Sequence, residues 1–177
     1  MTDTEREFIL KRLEEGRDAF LCSFEYLSET QLKFKPQPDR WSIADCVEHV
    51  ALTEDGMYAR VTKGAPNPAG AALDPEKYER FVSAVIARRR KVVAPDPMQP
   101  TGHFASIATA REQFVTSRAR AIEYVRACTG DLRTLFAKHP LLGDIDCYQF
   151  LLLLAVHPAR HAAQIEEIKS DPGFPKA

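Results

Sequence analysis

The sequence contains no Cys-x-x-Cys pair. Cys22, Cys46, Cys128 and Cys147 lie far apart, which excludes a zinc knuckle and a thioredoxin-type redox motif. Free thiols in a reducing compartment fit this usage, because a chain of 177 residues buries enough surface to fold without disulfide staples. There is also no excess of charge. Lys+Arg number 24 against 25 Asp+Glu, for a formal net charge of −1, so no long-range field draws the protein towards nucleic acid or an anionic membrane. The opening residues, from Met1 to Phe8, carry acids and no apolar signal core, and the apolar run 150–156 is far too short to span a bilayer. A cytoplasmic protein is expected. No internal repeat, no low-complexity tract and no strict alternation of a half-buried strand is found.

What the sequence does have is helical periodicity punctuated by proline. Thr2 to Glu5 reads as a capping box, and Ile9, Leu13, Phe20, Phe24 and Leu27 follow at helical spacing, giving a first helix over 3–27. Pro36 and Pro38 cannot continue it. A second helix starts at Ser42, whose hydroxyl can cap it, with Asp45 in the first turn and Ile43, Val47, Val50, Ala51, Tyr58 and Val61 on its apolar side. Asp74-Pro75 predicts an accessory helix over 75–90, and the proline-rich stretch 94–102 a surface crossing without regular structure. A third long helix is expected between Ser106 and Cys128 with its arginines on the exposed side. A fourth, capped by Asp144 or Asp146, runs to about Lys169 and is central, since it is apolar nearly all round from Phe150 to Val156. The expected fold class is all-α: one domain, 1–177, built as an up-and-down four-helix bundle with a short accessory helix.

His157 and His161 are four residues apart on the last helix, about 40° apart in projection and one turn apart along the axis, so both can reach one ion without distorting the backbone. Alone, the pair is weak evidence for a metal, because a buried histidine usually satisfies its nitrogens with backbone or side-chain neighbours. His49 borders the apolar side of the second helix and could be a third ligand; three inward imidazoles cost free energy unless each finds a partner. His103 and His139 stand beside Gly102 and Pro140, where an exposed histidine needs no explanation. Cys46, three residues before His49 on the same helix side, could be a soft ligand or a nearby thiol, but reads first as a small buried hydrophobe. Among the acids flanking His49, Asp45, Glu48 and Glu54, only Asp45 is well placed to orient an imidazole or move a proton. Gln164, three residues beyond His161, extends the ligand face and could contact substrate or water. Arg160 points elsewhere as a surface charge, and Trp41 is a packing anchor.

Three stretches carry a family resemblance: Arg40-Trp41-Ser42-Ile43-Ala44-Asp45-Cys46-Val47-Glu48-His49, then His139-Pro140-Leu141-Leu142-Gly143, and His157-Pro158-Ala159-Arg160-His161-Ala162-Ala163-Gln164-Ile165. In order and separation the chain resembles the DinB-like, YfiT-like superfamily of metal-binding helical bundles over essentially its whole length. The resemblance implies that His49, His157 and His161 bind a divalent metal, Zn²⁺ or Ni²⁺. Characterised members include S-transferases that use low-molecular-weight thiols and a thiol-dependent isomerase; many others carry only the name of metal-dependent hydrolases, and members are often homodimers. One departure is Pro158, between the two histidines, which removes the bond to the Leu154 carbonyl. A kink there either disturbs the ligand spacing or makes room for a ligand. Three functions stay open at this point: metal-activated thiol transfer to a small molecule, hydrolysis by activated water, and a non-catalytic dimeric bundle that binds a ligand or metal.

Overall fold

The computed structural model describes residues 1–67, 75–87, 94–140 and 142–176. Four long helices carry it: α1 (Asp3–Ser23), α3 (Ile43–Thr62), α5 (Ile107–Ala127) and α6 (Cys147–Lys169). Their starts follow the sequence closely, because each has a side-chain cap. Thr2 and Glu5 form the expected capping box on α1, Ser42 and Asp45 a second on α3, Ser106 caps α5, and Asp146 rather than Asp144 caps α6. The accessory helix α4 spans Pro75–Ile86; its expected cap, Asp74, lies outside the described residues.

Several expectations need correction. α1 ends at Ser23 rather than 27, and a short helix α2 (Glu29–Lys33) follows, started by a capping box of Ser28 and Gln31. The break falls at Tyr26, whose φ of 61° no helix accommodates. The stretch 94–102 contains a 3₁₀ turn at Asp96–Met98. A three-stranded antiparallel sheet is also present, ordered β1 (Ala65–Pro66), β2 (Leu135–His139), β3 (Gly143–Asp146). Neither β2 nor β3 alternates in burial, so no period-2 signal marked them. Their hairpin closes with His139 opposite Gly143, which takes φ of 72° where a side chain would be strained.

The expected four-helix bundle forms, with a connectivity that does not alternate. α1 packs on α5 and α6, and α3 packs on the same two, so α1 and α3 lie across the bundle from each other, as do α5 and α6. Lys169 near the end of α6 donates to the carbonyl of Ser23 at the end of α1, making these neighbours parallel. Arg6 at the start of α1 donates to the carbonyl of Cys128 just past α5, and Cys147 at the start of α6 meets Val61 near the end of α3. Glu54 and Tyr58 of α3 meet Arg118 and Tyr124 of α5 in the same order. The long helices therefore run up, down, down, up, and the segment bearing α4 spans the connection between the two parallel ones.

The apolar core falls into two clusters. One includes Ile9, Leu13, Val125, Phe150, Leu151 and Leu154; the other Phe20, Ile43, Val47, Val50, Phe114 and Ile165. Arg118 lies between their levels on α5 and is fully buried against Glu54 at 2.7 Å. The arginines of α5 are thus not all on an exposed face, because this one finds a carboxylate on the facing helix. No described helix is long and apolar enough to cross a membrane.

The parallel pair α1 and α6 approaches closely at Gly16, where an added Cβ would stand 2.5 Å from the carbonyl oxygen of Ala155. Backbone cannot yield there as a flexible side chain would. Gly16→Ala is expected to destabilise the protein by about 1–3 kcal/mol, seen as a thermal midpoint several degrees lower by circular dichroism, although alanine is the better helix former.

Candidate metal centre

His49 stands on the buried side of α3, and His157 and His161 stand one turn apart on α6, which packs against it. One ring nitrogen from each lies within 4.8 Å of the others. The ring centroids are 4.6 Å apart for His157 and His161, 4.8 Å for His49 and His161, and 5.2 Å for His49 and His157. The helix bearing Pro158 continues through it, so the proline does not disperse the two imidazoles.

Hydrogen bonds fix which nitrogens face inward. Nδ1 of His49 lies 2.7 Å from the carbonyl oxygen of Met98. A carbonyl only accepts, so Nδ1 carries the proton and Nε2 keeps its lone pair. Nδ1 of His161 lies 3.1 Å from Oε1 of Gln164, with the same consequence. Nε2 of His161 then faces Nε2 of His157 at 3.2 Å. Nδ1 of His157 is shut off from solvent and has no hydrogen-bond partner among the described residues. With its proton on Nε2, His157 donates to Nε2 of His161 across that distance; with the proton on Nδ1, both Nε2 lone pairs are free for a cation. The spacing is also close to the ~3.3 Å expected between two nitrogens at ~2.0–2.1 Å on a tetrahedral ion. The donor set, three neutral imidazoles with two outer nitrogens tied to carbonyl-type oxygens, suits a divalent transition metal.

The surroundings keep the rings neutral. Burial lowers the pKa of His49, against the Met98 bond, and the charge of Arg160 lowers it further. Burial holds His157 well below the ordinary histidine value, assisted by charge on His49, Arg160, Arg118 and His139. Arg160 is therefore near enough to act on the site and is not the remote surface charge its wheel position suggests. Trp41 covers the outer side, with its ring 4.8 Å from His49 and stacked 6.1 Å from His161.

Of the other residues singled out, Gln164 is brought to His161. Asp45 is held at the start of α3: its Oδ2 accepts from the Ser42 N–H at 2.9 Å and pairs with Lys35 at 2.8 Å. Glu54 is buried and paired with Arg118, unlike the solvated acid expected. Glu48 accepts the N–H groups of Gly102 and His103, at 2.8 and 2.9 Å, and so anchors the segment that presents Met98. Met98 carried no signal in the sequence, since its backbone does the work. His139 is not an exposed loop histidine but half-buried at the end of β2, with its ring 5.7 Å from Phe150. Burial, with the charge of Arg60, lowers its pKa to about 4.

These features define a helical bundle carrying a buried three-histidine group. The chain belongs to the DinB superfamily, whose model matches residues 12–165. It is 23% identical over 146 residues to the uncharacterized protein YuaE of Bacillus subtilis, covering 81% of this chain and 86% of that one. Its fold is similar to that of YfiT from Bacillus subtilis, described as "a probable metal-dependent hydrolase with an unusual four-helix bundle topology" (TM-score 0.67, 17% identity, 99% of this chain and 91% of that one). TT2238, described as a four-helix bundle protein, is also similar (TM-score 0.59, 20% identity, 92% and 98% covered).

His139 supplies a pH test. Its folded pKa of about 4 lies below the ordinary histidine value of 6.5, so between these values the unfolded chain binds the extra proton and acid removes stability. The difference in stability between wild type and His139→Gln is expected to shrink as the pH falls from 7 to 4. Urea melts of the metal-free proteins across that range would show it; a difference that stays constant would mean the ring is not held neutral.

Proposed function

We propose that this protein is a metal-dependent enzyme in which His49, His157 and His161 hold one divalent ion, Zn²⁺ or Ni²⁺, and that a thiol or a water is activated there for transfer to, or hydrolysis of, a small molecule. The observation that carries the reading is the tautomer arrangement. Met98 and Gln164 take the outer protons of His49 and His161, leaving the Nε2 lone pairs of both rings available in a group whose ligand atoms lie within 4.8 Å of one another. A divalent ion bound there lowers the pKa of a thiol or water towards neutrality and so supplies a nucleophile.

The chain's own residues prepare the space. Gln164 and the Met98 carbonyl orient two of the rings, as outer partners of metal-binding histidines commonly do. The positive charge of Arg160 disfavours protonation of His49 and His157, and favours a thiolate over a thiol in the same field. Trp41 shields one side from water. Cys46 is fully buried and is not read as the nucleophile, so the reacting thiol comes with the substrate, as a low-molecular-weight thiol. Membership of the DinB superfamily and the description of YfiT as a probable metal-dependent hydrolase support the metal-dependent part of the reading.

Protein purified without a histidine tag is expected to carry close to one divalent ion per chain, by elemental analysis, and His157→Ala to lose it. Gln164→Leu should weaken binding roughly 10–100-fold while leaving the fold intact. Electrophile turnover that depends on added thiol would assign transfer, and turnover without it hydrolysis. A wild type that stays metal-free after Zn²⁺ or Ni²⁺ is supplied and the excess removed would sink the proposal.

A further inference from the structure

Pro158 leaves the carbonyl of Leu154 without its intrahelical donor, since proline has no N–H and its ring crowds the carbonyl four residues back. Leu154 is fully buried, so bulk water does not supply the missing bond. Arg118, from α5, does: its Nη2 donates to that carbonyl at 3.0 Å. The same guanidinium donates through Nη1 to the carbonyl of Leu13 on α1 at 3.3 Å. Its orientation is fixed by Glu54 of α3, with Nη2 at 2.9 Å from Oε2 and Nε at 2.7 Å from Oε1, and by the ring of Phe114, 5.5 Å below. Both side chains are shut off from solvent, so the fork has no competing partner. A lysine, with one nitrogen, could not span two carbonyls and a carboxylate in this fixed geometry.

From this arrangement we infer that Arg118 is a positioning residue for His157 and His161, replacing the hydrogen bond that Pro158 removes and so fixing the turn of α6 on which both imidazoles stand. Its functional meaning rests on the reading of those histidines as metal ligands. The positioning itself does not, because it concerns how the two rings are held in the metal-free protein.

The test removes the pair as a unit, so that no buried charge is orphaned. Glu54→Leu/Arg118→Met is compared with wild type, with Pro158→Ala, and with the triple variant, in which the new alanine N–H can again serve Leu154. Two quantities are read: the imidazole ¹⁵N shifts of the metal-free proteins, and Co²⁺ affinity with its d–d spectrum. The pair-replaced protein should lose the defined His157 and His161 tautomer pattern and bind Co²⁺ at least tenfold more weakly. Pro158→Ala should recover most of both losses in that background and alter wild type less than threefold. Unchanged imidazole shifts in the pair-replaced protein, or an equal effect of Pro158→Ala in both backgrounds, would overturn the inference. Should the pair-replaced protein fail to fold, Arg118→Lys, which keeps the charge pair and loses the fork, is read by the same shifts against the same criterion. A wild type that takes up no Co²⁺ overturns the metal reading alone, since the imidazole shifts still decide the positioning.

Discussion

All four long helices meet at one buried guanidinium. Arg118 comes from α5, its carboxylate partner Glu54 from α3, and the carbonyls it satisfies belong to Leu13 on α1 and Leu154 on α6. Burying these charges is costly: burial pushes the Glu54 carboxyl up to about 7 in spite of Arg118, and lowers Arg118 in turn. An apolar pair of similar volume would often be no less stable, whereas removing a single partner from a buried pair typically costs about 3–5 kcal/mol. The arrangement accordingly selects one packing among many more than it adds net stability. Apolar faces can slide along one another, and an up, down, down, up bundle contains two parallel neighbours whose register the connecting loops do not set. A fork that must find a carboxylate on one helix and carbonyls on two others fixes how far α1, α3, α5 and α6 stand along the axis.

That axial register is what a site shared between helices requires. His49 reaches the α6 pair only if α3 is correctly placed beside α6, and its outer nitrogen is held by a carbonyl almost fifty residues away in sequence. The Met98 carbonyl is in turn fixed from α3, because Glu48, adjacent to His49, takes the N–H groups of Gly102 and His103. The imidazole and its orienting oxygen are thus both referenced to the same turn of α3. Such closure matters for an ion, since a ligand misplaced by an ångström no longer meets its lone pair.

The sequence was readable where structure is set locally. Capping residues at Thr2 and Ser42, an aspartate at 144 or 146, and apolar positions at helical spacing located the four long helices closely at their starts, while α1 was expected to run on to 27 and stops at Ser23; the i, i+4 spacing placed His157 and His161 on one face. His49 was legible as inward from its neighbours on α3. What was not legible depends on partners far along the chain. Glu54 and Arg118 each look like surface charges until the facing helix is known. Direction of packing could not be read either, because apolar stripes carry no polarity along the helix. β2 and β3 escaped because neither sets a buried face against a solvated one along its length, the contrast that creates alternation. Met98 contributes a carbonyl that any residue type would carry.

Several locally unfavourable choices fall within a few turns of one another: a proline inside a helix, three imidazoles near the core, and a fully buried arginine with its glutamate. Individually each has ordinary precedents in a stable protein; together they are hard to attribute to packing, which leucines would do at lower cost. Their partners sort them into two groups. The guanidinium fills the place of the absent N–H and is paired with the glutamate, so the proline, the arginine and the glutamate answer one another, although Nε of Arg118 and Oε1 of Glu54, 2.7 Å apart, do not meet in hydrogen-bond geometry. Among the histidines the outer nitrogens of two rings are satisfied, the Nε2 atoms on α6 meet at 3.2 Å, and Nδ1 of His157 has no hydrogen-bond partner among the described residues. A fold that ties a buried arginine to three other helices and sets three imidazoles with ring centroids within 5.2 Å of one another has gathered its costly polar groups into one layer, where the positions of the rings depend on the register that the arginine holds.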